Sequence, residues 1–348
     1  MTTWFNKKTT LAIKGVAIIL MFIHHFFTFP HYWLPGLYYS FWDKWSSILC
    51  KPFQICVPIF CFITGYFFCK NNTINIKYCC KKSLQLLIPY WMITTIFIII
   101  SILYGNMYSL LDILLELFAL KRPTMVFCWY VYFYLVSLLF LLIFSKLVFK
   151  NRYIKYVISG LLFSLFFVVI NNQFPVFDTI IAWFPIMLSG YFCAEFDLLR
   201  LFARIKNFYG FIICLLLFII SSFMRWYLPD ISIMFMESKI IYITLDIVYA
   251  PIAVGALATI FFYLDKLRIS YNLLTRIGEK SMYMWFIHCI FFNNCKSIFQ
   301  PILYWPRNSV LVLMWGMFVC YVFACLLSKL YSPIEQRIVN NIYDRKEG

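Results

Sequence analysis

The chain has 348 residues, 64% of them hydrophobic and only 13% charged, with a mean hydropathy of +0.83. A soluble domain runs closer to half apolar, so a water-soluble globule is excluded; the apolar runs are continuous rather than alternating, which excludes a transmembrane β-barrel. The net charge of +16 is no nucleic-acid footprint, because the basic residues sit in short segments between apolar runs, where they orient helices and meet anionic lipid.

Backbone groups in hydrocarbon must be satisfied within their own segment, so each run of about 20 apolar residues predicts a helix. Ten are predicted, at 10–29, 52–69, 84–104, 128–148, 153–171, 178–196, 208–226, 240–263, 280–296 and 309–330. The fold class is therefore an all-α integral membrane bundle, expected as one membrane-embedded domain over 1–348. Lys7 and Lys8 precede the first run as in a signal peptide. That run ends in Phe26, Phe27 and Pro30 without a small-residue cleavage site, so a retained helix is expected.

With the N-terminus inside, the inner segments hold 22 of the 30 basic residues and the outer ones 8. The outer set is Lys44, Lys51, Lys121, Arg122, Arg225, Lys239, Lys296 and Arg307. This bias predicts that both termini are cytoplasmic. Tyr32, Trp33, Tyr38, Tyr39, Trp42 and Trp45 follow the first helix, and Trp129, Tyr130, Tyr132 and Tyr134 open the fourth. They fit an interfacial aromatic belt or a stacking surface for sugar rings. The thirteen cysteines show no CxxC pair and mostly lie within apolar runs, as small apolar filler does.

Ionisable residues inside membrane helices are costly and mark candidate sites. The first helix carries Lys14, His24 and His25. Eleven residues at 100° each end about 20° past three full turns, so Lys14 and His25 share one stripe about 16 Å apart along the axis, and His24 points elsewhere. A hydrogen-bonded structural histidine and a snorkelling lysine are the bland alternative. Asp246 lies about 9 Å in from the start of the eighth helix. It is a candidate to orient His25 as the carboxylate of a triad does, or to bond another helix. His288, with Ser281 seven residues earlier, is a further candidate, or a packing contact.

Lys14-Gly15, an apolar stretch and His25 resemble the first-helix motif of the acyltransferase-3 family of membrane O-acyltransferases: a basic residue, a glycine, and a histidine eleven positions after the basic residue. Further segments are similar to that family in the same order. They are Phe62-Ile-Thr-Gly-Tyr-Phe-Phe68, Lys81-Lys82-Ser-Leu-Gln85 leading to Pro89-Tyr-Trp91, Trp129-Tyr130-Val-Tyr-Phe-Tyr134, Ile277-Gly-Glu-Lys-Ser281 running on to His288, and Pro333-Ile-Glu335. Lys14 stands where the family usually has arginine, keeping the charge without the planar fork. Lys82-Ser-Leu-Gln85 stands for its Arg-x-x-Arg. No esterase-like segment follows the tenth helix, as in the stand-alone form.

The resemblance implies a ten-helix core that takes an acyl group, usually acetyl, from cytosolic acyl-CoA to a hydroxyl of a surface glycan or lipid-linked sugar. His25 suits the base, since histidine titrates near neutrality. Lys81, Lys82, Gln85, Arg276 and Lys280 are the candidates for the CoA phosphates; topology and anionic lipid are their other role. No metal is expected. The competing class is a transporter or flippase of a polar solute, which intramembrane His and Asp and a helix broken at Pro251 would also serve. Richness in Phe, Ile, Lys, Asn and Tyr points to an AT-rich bacterial genome, hence a multi-pass protein of a bacterial cytoplasmic membrane.

Overall fold

A computed structural model describes residues 5–29, 32–37, 49–71, 74–121, 124–147, 153–159, 175–205, 207–232 and 238–343. Among them there is no β-strand. The helices are α1 (Lys7–Phe27), α2 (Cys56–Lys70), α3 (Ile76–Leu103), α4 (Leu110–Leu117), α5 (Tyr130–Lys146), α6 (Pro175–Glu195), α7 (Arg200–Ala203), α8 (Phe208–Ser232), α9 (Ser238–Lys266), α10 (Asn272–His288), α11 (Lys296–Tyr304) and α12 (Ser309–Tyr343). Two 3-10 turns, Lys51–Ile55 and Cys289–Phe291, lead into α2 and out of α10.

Six of the described helical stretches are long and apolar enough to cross a membrane: Lys7–Phe27, Lys51–Lys70, Ile76–Leu103, Phe208–Arg225, Ile243–Lys266 and Ser309–Ile334. Tyr130–Lys146 is a shorter apolar helix. The chain is thus a multi-pass α-helical membrane protein. Of the segment expected at 153–171, residues 153–159 are helical and the rest lies outside the described residues, as do Tyr38, Tyr39, Trp42 and Trp45. The helix expected at 280–296 begins instead at Asn272 and ends at His288. Its charged first half has too little hydropathy to register as a membrane run, yet a helical backbone needs no apolar side chains. Three helices were not expected. α4, α7 and α11, of 8, 4 and 9 residues, are too short to register as membrane runs. α4 is set by a capping box in which Ser109 and Asp112 bond each other's backbone N–H. α9 runs unbroken through Pro251, so the interrupted helix that a transporter site would favour is not there.

The chain divides into two compact units: 1–30, 39–72 and 181–281; and 31–38, 73–180 and 282–348. In the first, α1 packs on α2 and α9, α2 on α9, and α8 on α9, while the Lys51–Ile55 turn touches both α1 and α8. Glycines set its closest crossings. A Cβ on Gly15 would lie 2.1 Å from the Leu274 carbonyl oxygen, and one on Gly278 would lie 1.8 Å from that of Leu11. α1 and α10 therefore meet backbone to backbone. α2 and α6 do the same, through Gly65 against Met187 and Gly190 against Phe62. Without a hydrophobic force between helices in lipid, such small-residue contacts supply the packing. In the second unit α3 packs on α4, α5 and α12, and α11 on α12. Tyr90 and Trp91, just past Pro89, donate to the carbonyls of Glu116 (2.6 Å) and Leu117 (2.8 Å).

Candidate functional site

The first unit gathers the intramembrane polar residues. α1 is one uninterrupted helix that carries Lys14, His24 and His25, so the stripe relation between Lys14 and His25 stands. Both are half-buried. His24 is buried, at 2% exposure. Its Nδ1 lies 3.3 Å from the Cys50 carbonyl oxygen and 3.2 Å from Thr28 Oγ1. Its Nε2 is buried and meets no hydrogen-bond partner among the described residues. The His24 and His25 rings are 5.6 Å apart, centroid to centroid, and Phe29 meets both, edge-on to His24 at 5.1 Å.

Cys50 directly precedes the Lys51–Ile55 turn, and Gln54 in that turn reaches a second polar cluster. Arg225 of α8 donates through Nη1 to Gln54 Oε1 (3.0 Å), through Nη2 to one Asp246 oxygen (2.9 Å) and through Nε to the other. Trp183 of α6 lies 5.8 Å from the guanidinium carbon. Both charged side chains are nearly inaccessible, at 2% and 3% exposure. In the structure the partner of Asp246 is thus Arg225, not His25; a carboxylate buried between helices is satisfied by the two-pronged fork of an arginine, which matches both of its oxygens. Arg225 was counted with a loop in the charge tally, but α8 continues to Ser232 and buries it. The readable signal was one basic and one acidic residue in two predicted membrane helices.

The other candidates stand elsewhere. His288 belongs to the second unit and is the last residue of α10 rather than mid-helix. It is fully buried, its Nδ1 contacts the Trp285 carbonyl, and Phe127 stacks on its ring at 5.6 Å and 14°. Ser281 is turned back on its own helix, donating to the Gly278 carbonyl. Arg276 is exposed and Lys280 half-buried on the first half of α10. Lys81, Lys82 and Gln85 are half-buried on α3 in the second unit, where Lys82 Nζ donates to Gln85 Oε1 at 3.1 Å. Glu116, which the sequence did not mark, is completely buried there. Its Oε1 accepts from Thr124 N (2.7 Å), Met125 N (2.9 Å) and the Thr124 hydroxyl, closing the loop after α4. Burial pushes its carboxyl above the usual range against the pull of those hydrogen bonds.

Chemically, the first unit offers a histidine with a buried, unused ring nitrogen, a second histidine beside it, and a neutralised guanidinium–carboxylate pair. Such a set can accept or move a proton and hold polar uncharged groups. A family model described as an acyltransferase domain, that of acyltransferase family 3, matches residues 12–331 and so runs from within α1 into α12, ending just before Pro333-Ile-Glu335. No curated protein and no solved structure matches the chain.

Proposed function

The chain belongs to the acyltransferase-3 family, and from that premise we propose that it moves an acyl group, acetyl in the first instance, from cytosolic acyl-CoA to a hydroxyl of a cell-surface or lipid-linked carbohydrate. The observation that carries this reading is the family match, which spans nearly the whole chain and includes Lys14, Gly15 and His25. In this mechanism His25 takes the proton of the acceptor hydroxyl as its oxygen attacks the thioester carbonyl. The new C–O bond forms, the C–S bond breaks, and the histidine returns the proton to the departing CoA thiolate. Lys14, on the same stripe, supplies a cation toward the donor side. Arg276 and Lys280 in the first unit, and Lys81, Lys82 and Gln85 in the second, are each candidates for the CoA phosphates; as exposed or half-buried groups they can meet a polyanion without a large desolvation cost. The membrane is that of a bacterial cell, and the modified polymer a surface polysaccharide.

Membranes expressing the chain are incubated with radiolabelled acetyl-CoA or succinyl-CoA and extracted surface glycan. Label in the glycan above the empty-vector level supports the reading, and the better donor identifies the acyl group. Label that stays in CoA with every glycan fraction, while the purified protein is folded and mediates solute flux into vesicles, replaces acyl transfer with transport.

A further inference from the structure

His24 has no part in the chemistry above, yet it has the least explained polar atom in the first unit. Its ring is 2% exposed, and its Nδ1 faces the Cys50 carbonyl. Nδ1 also meets the Thr28 hydroxyl, which can accept as well as donate; since the carbonyl only accepts, the tautomer that satisfies both contacts carries the proton on Nδ1 and leaves Nε2 a lone pair. That lone pair is buried and meets no partner among the described residues. Buried polar atoms are almost always paired, and an exception calls for a specific cause. A ligand that completes the bond is one such cause.

The surroundings select the class of ligand. Arg225, which bonds Gln54 in the turn that Cys50 precedes, has its charge offset by both Asp246 oxygens, which leaves no net cation there for a phosphate or carboxylate. Phe29 covers one edge of the ring. No group of three or more His, Cys, Asp or Glu that could hold a metal ion occurs among the described residues. A lone pair in such a neutral, partly apolar setting takes an uncharged O–H donor.

We infer that His24 Nε2 accepts a hydrogen bond from an uncharged hydroxyl of one of the two substrates and holds it beside His25, whose ring centroid is 5.6 Å away. This rests on the acyl-transfer reading. Sugar hydroxyls of the acceptor and the hydroxyl of the pantetheine arm of acyl-CoA share the required chemistry. His24 is then a substrate-binding residue, while His25 handles the proton.

The test compares wild type, His24→Asn and His24→Gln for acetyl transfer to extracted glycan, with KM determined separately for glycan and for acetyl-CoA. Asparagine can keep the bond to the Cys50 carbonyl but has no acceptor at the Nε2 position; glutamine can bring an amide oxygen there. A buried hydrogen bond of this kind is worth about 10- to 100-fold in affinity. A rise of that size in the glycan KM of His24→Asn, larger than its change in kcat and partly rescued by Gln, assigns the hydroxyl to the acceptor. The same rise in the acetyl-CoA KM assigns it to the donor. An active His24→Asn enzyme with both KM values unchanged overturns the inference. Should that variant not fold, histidine nitrogen NMR of the wild type decides, since the chain has only four histidines. An unprotonated His24 Nε2 whose signal shifts on saturation with glycan or acetyl-CoA supports the inference; a protonated or unmoved one overturns it. Wild type that transfers no label to any acceptor refutes acyl transfer itself, and the NMR titration still reads the His24 site.

Discussion

Replacing Asp246 with alanine leaves the Arg225 guanidinium buried with the Gln54 amide and the Trp183 ring as its remaining partners. The pair is 2% and 3% exposed, so water cannot replace the lost carboxylate. Removing one partner of a buried ion pair costs about 3–5 kcal/mol, mostly because the surviving charge is stranded. At the small-shift end of the scaling for larger domains, about 2 °C per kcal/mol, that lowers the melting temperature by about 6–10 °C. A thiol-reactive dye in detergent reads the transition, because none of the thirteen cysteines is in a disulfide and most are buried, with Cys80 exposed and Cys69 and Cys325 half-buried. The double variant Arg225→Leu with Asp246→Leu removes both charges and their desolvation together, and should recover most of the loss. A shift under about 2 °C for Asp246→Ala, or a double variant no more stable than the single one, would refute the assignment of this pair as a closed, mutually satisfied unit.

Other consequences follow from the geometry. Gly15→Ala and Gly278→Ala each place a methyl group about 2 Å from a carbonyl oxygen of the facing helix; each should cost about 1–3 kcal/mol as overpacking and lower the yield of monodisperse protein, whereas Gly105→Ala, with nothing within 4 Å but a φ of +95°, should act only through local backbone strain. Trp91→Phe removes the bond to the Leu117 carbonyl and should lower stability by about 1 kcal/mol, read by the same dye. Glu116 has its folded pKa raised above the ordinary 4.5, so the folded state holds the proton more tightly than the unfolded one. Its contribution to stability is therefore full below pH 4.5 and declines as pH rises through the raised value. Glu116→Gln keeps the Oε1 acceptor without the charge, so its melting temperature should gain on wild type as pH rises from 4 to 8; a constant difference would contradict the sign.

The long helices were legible in sequence because hydropathy and backbone satisfaction point to the same segments, as at 10–29 and 84–104 against α1 and α3. Legibility failed where the two part company. The first half of α10 is charged yet helical, so a hydropathy reading began it eight residues late and put His288 mid-helix instead of at its end. α4, α7 and α11 are too short to register. Of the site, the stripe linking Lys14 and His25 follows from helix geometry alone, and the glycines of three motifs proved to be contact points between backbones. Burial was not legible. The angular offset of His24 from His25 said that they face different ways, but not that His24 is the sealed one with an unused nitrogen. Arg225 lies at the edge of an apolar run, where sequence cannot distinguish a loop cation from one folded against Asp246 on another helix.

The central claim, that this membrane bundle transfers acyl groups through His25, is tested most directly by a single-turnover assay. Purified wild type and His25→Ala are mixed with radiolabelled acetyl-CoA and extracted glycan, after equal folding has been verified by melting temperature. The account predicts label in the glycan with wild type and a loss of at least about 100-fold with His25→Ala, the scale of a missing general base. Equal label with both proteins would contradict it and remove His25 from the chemistry.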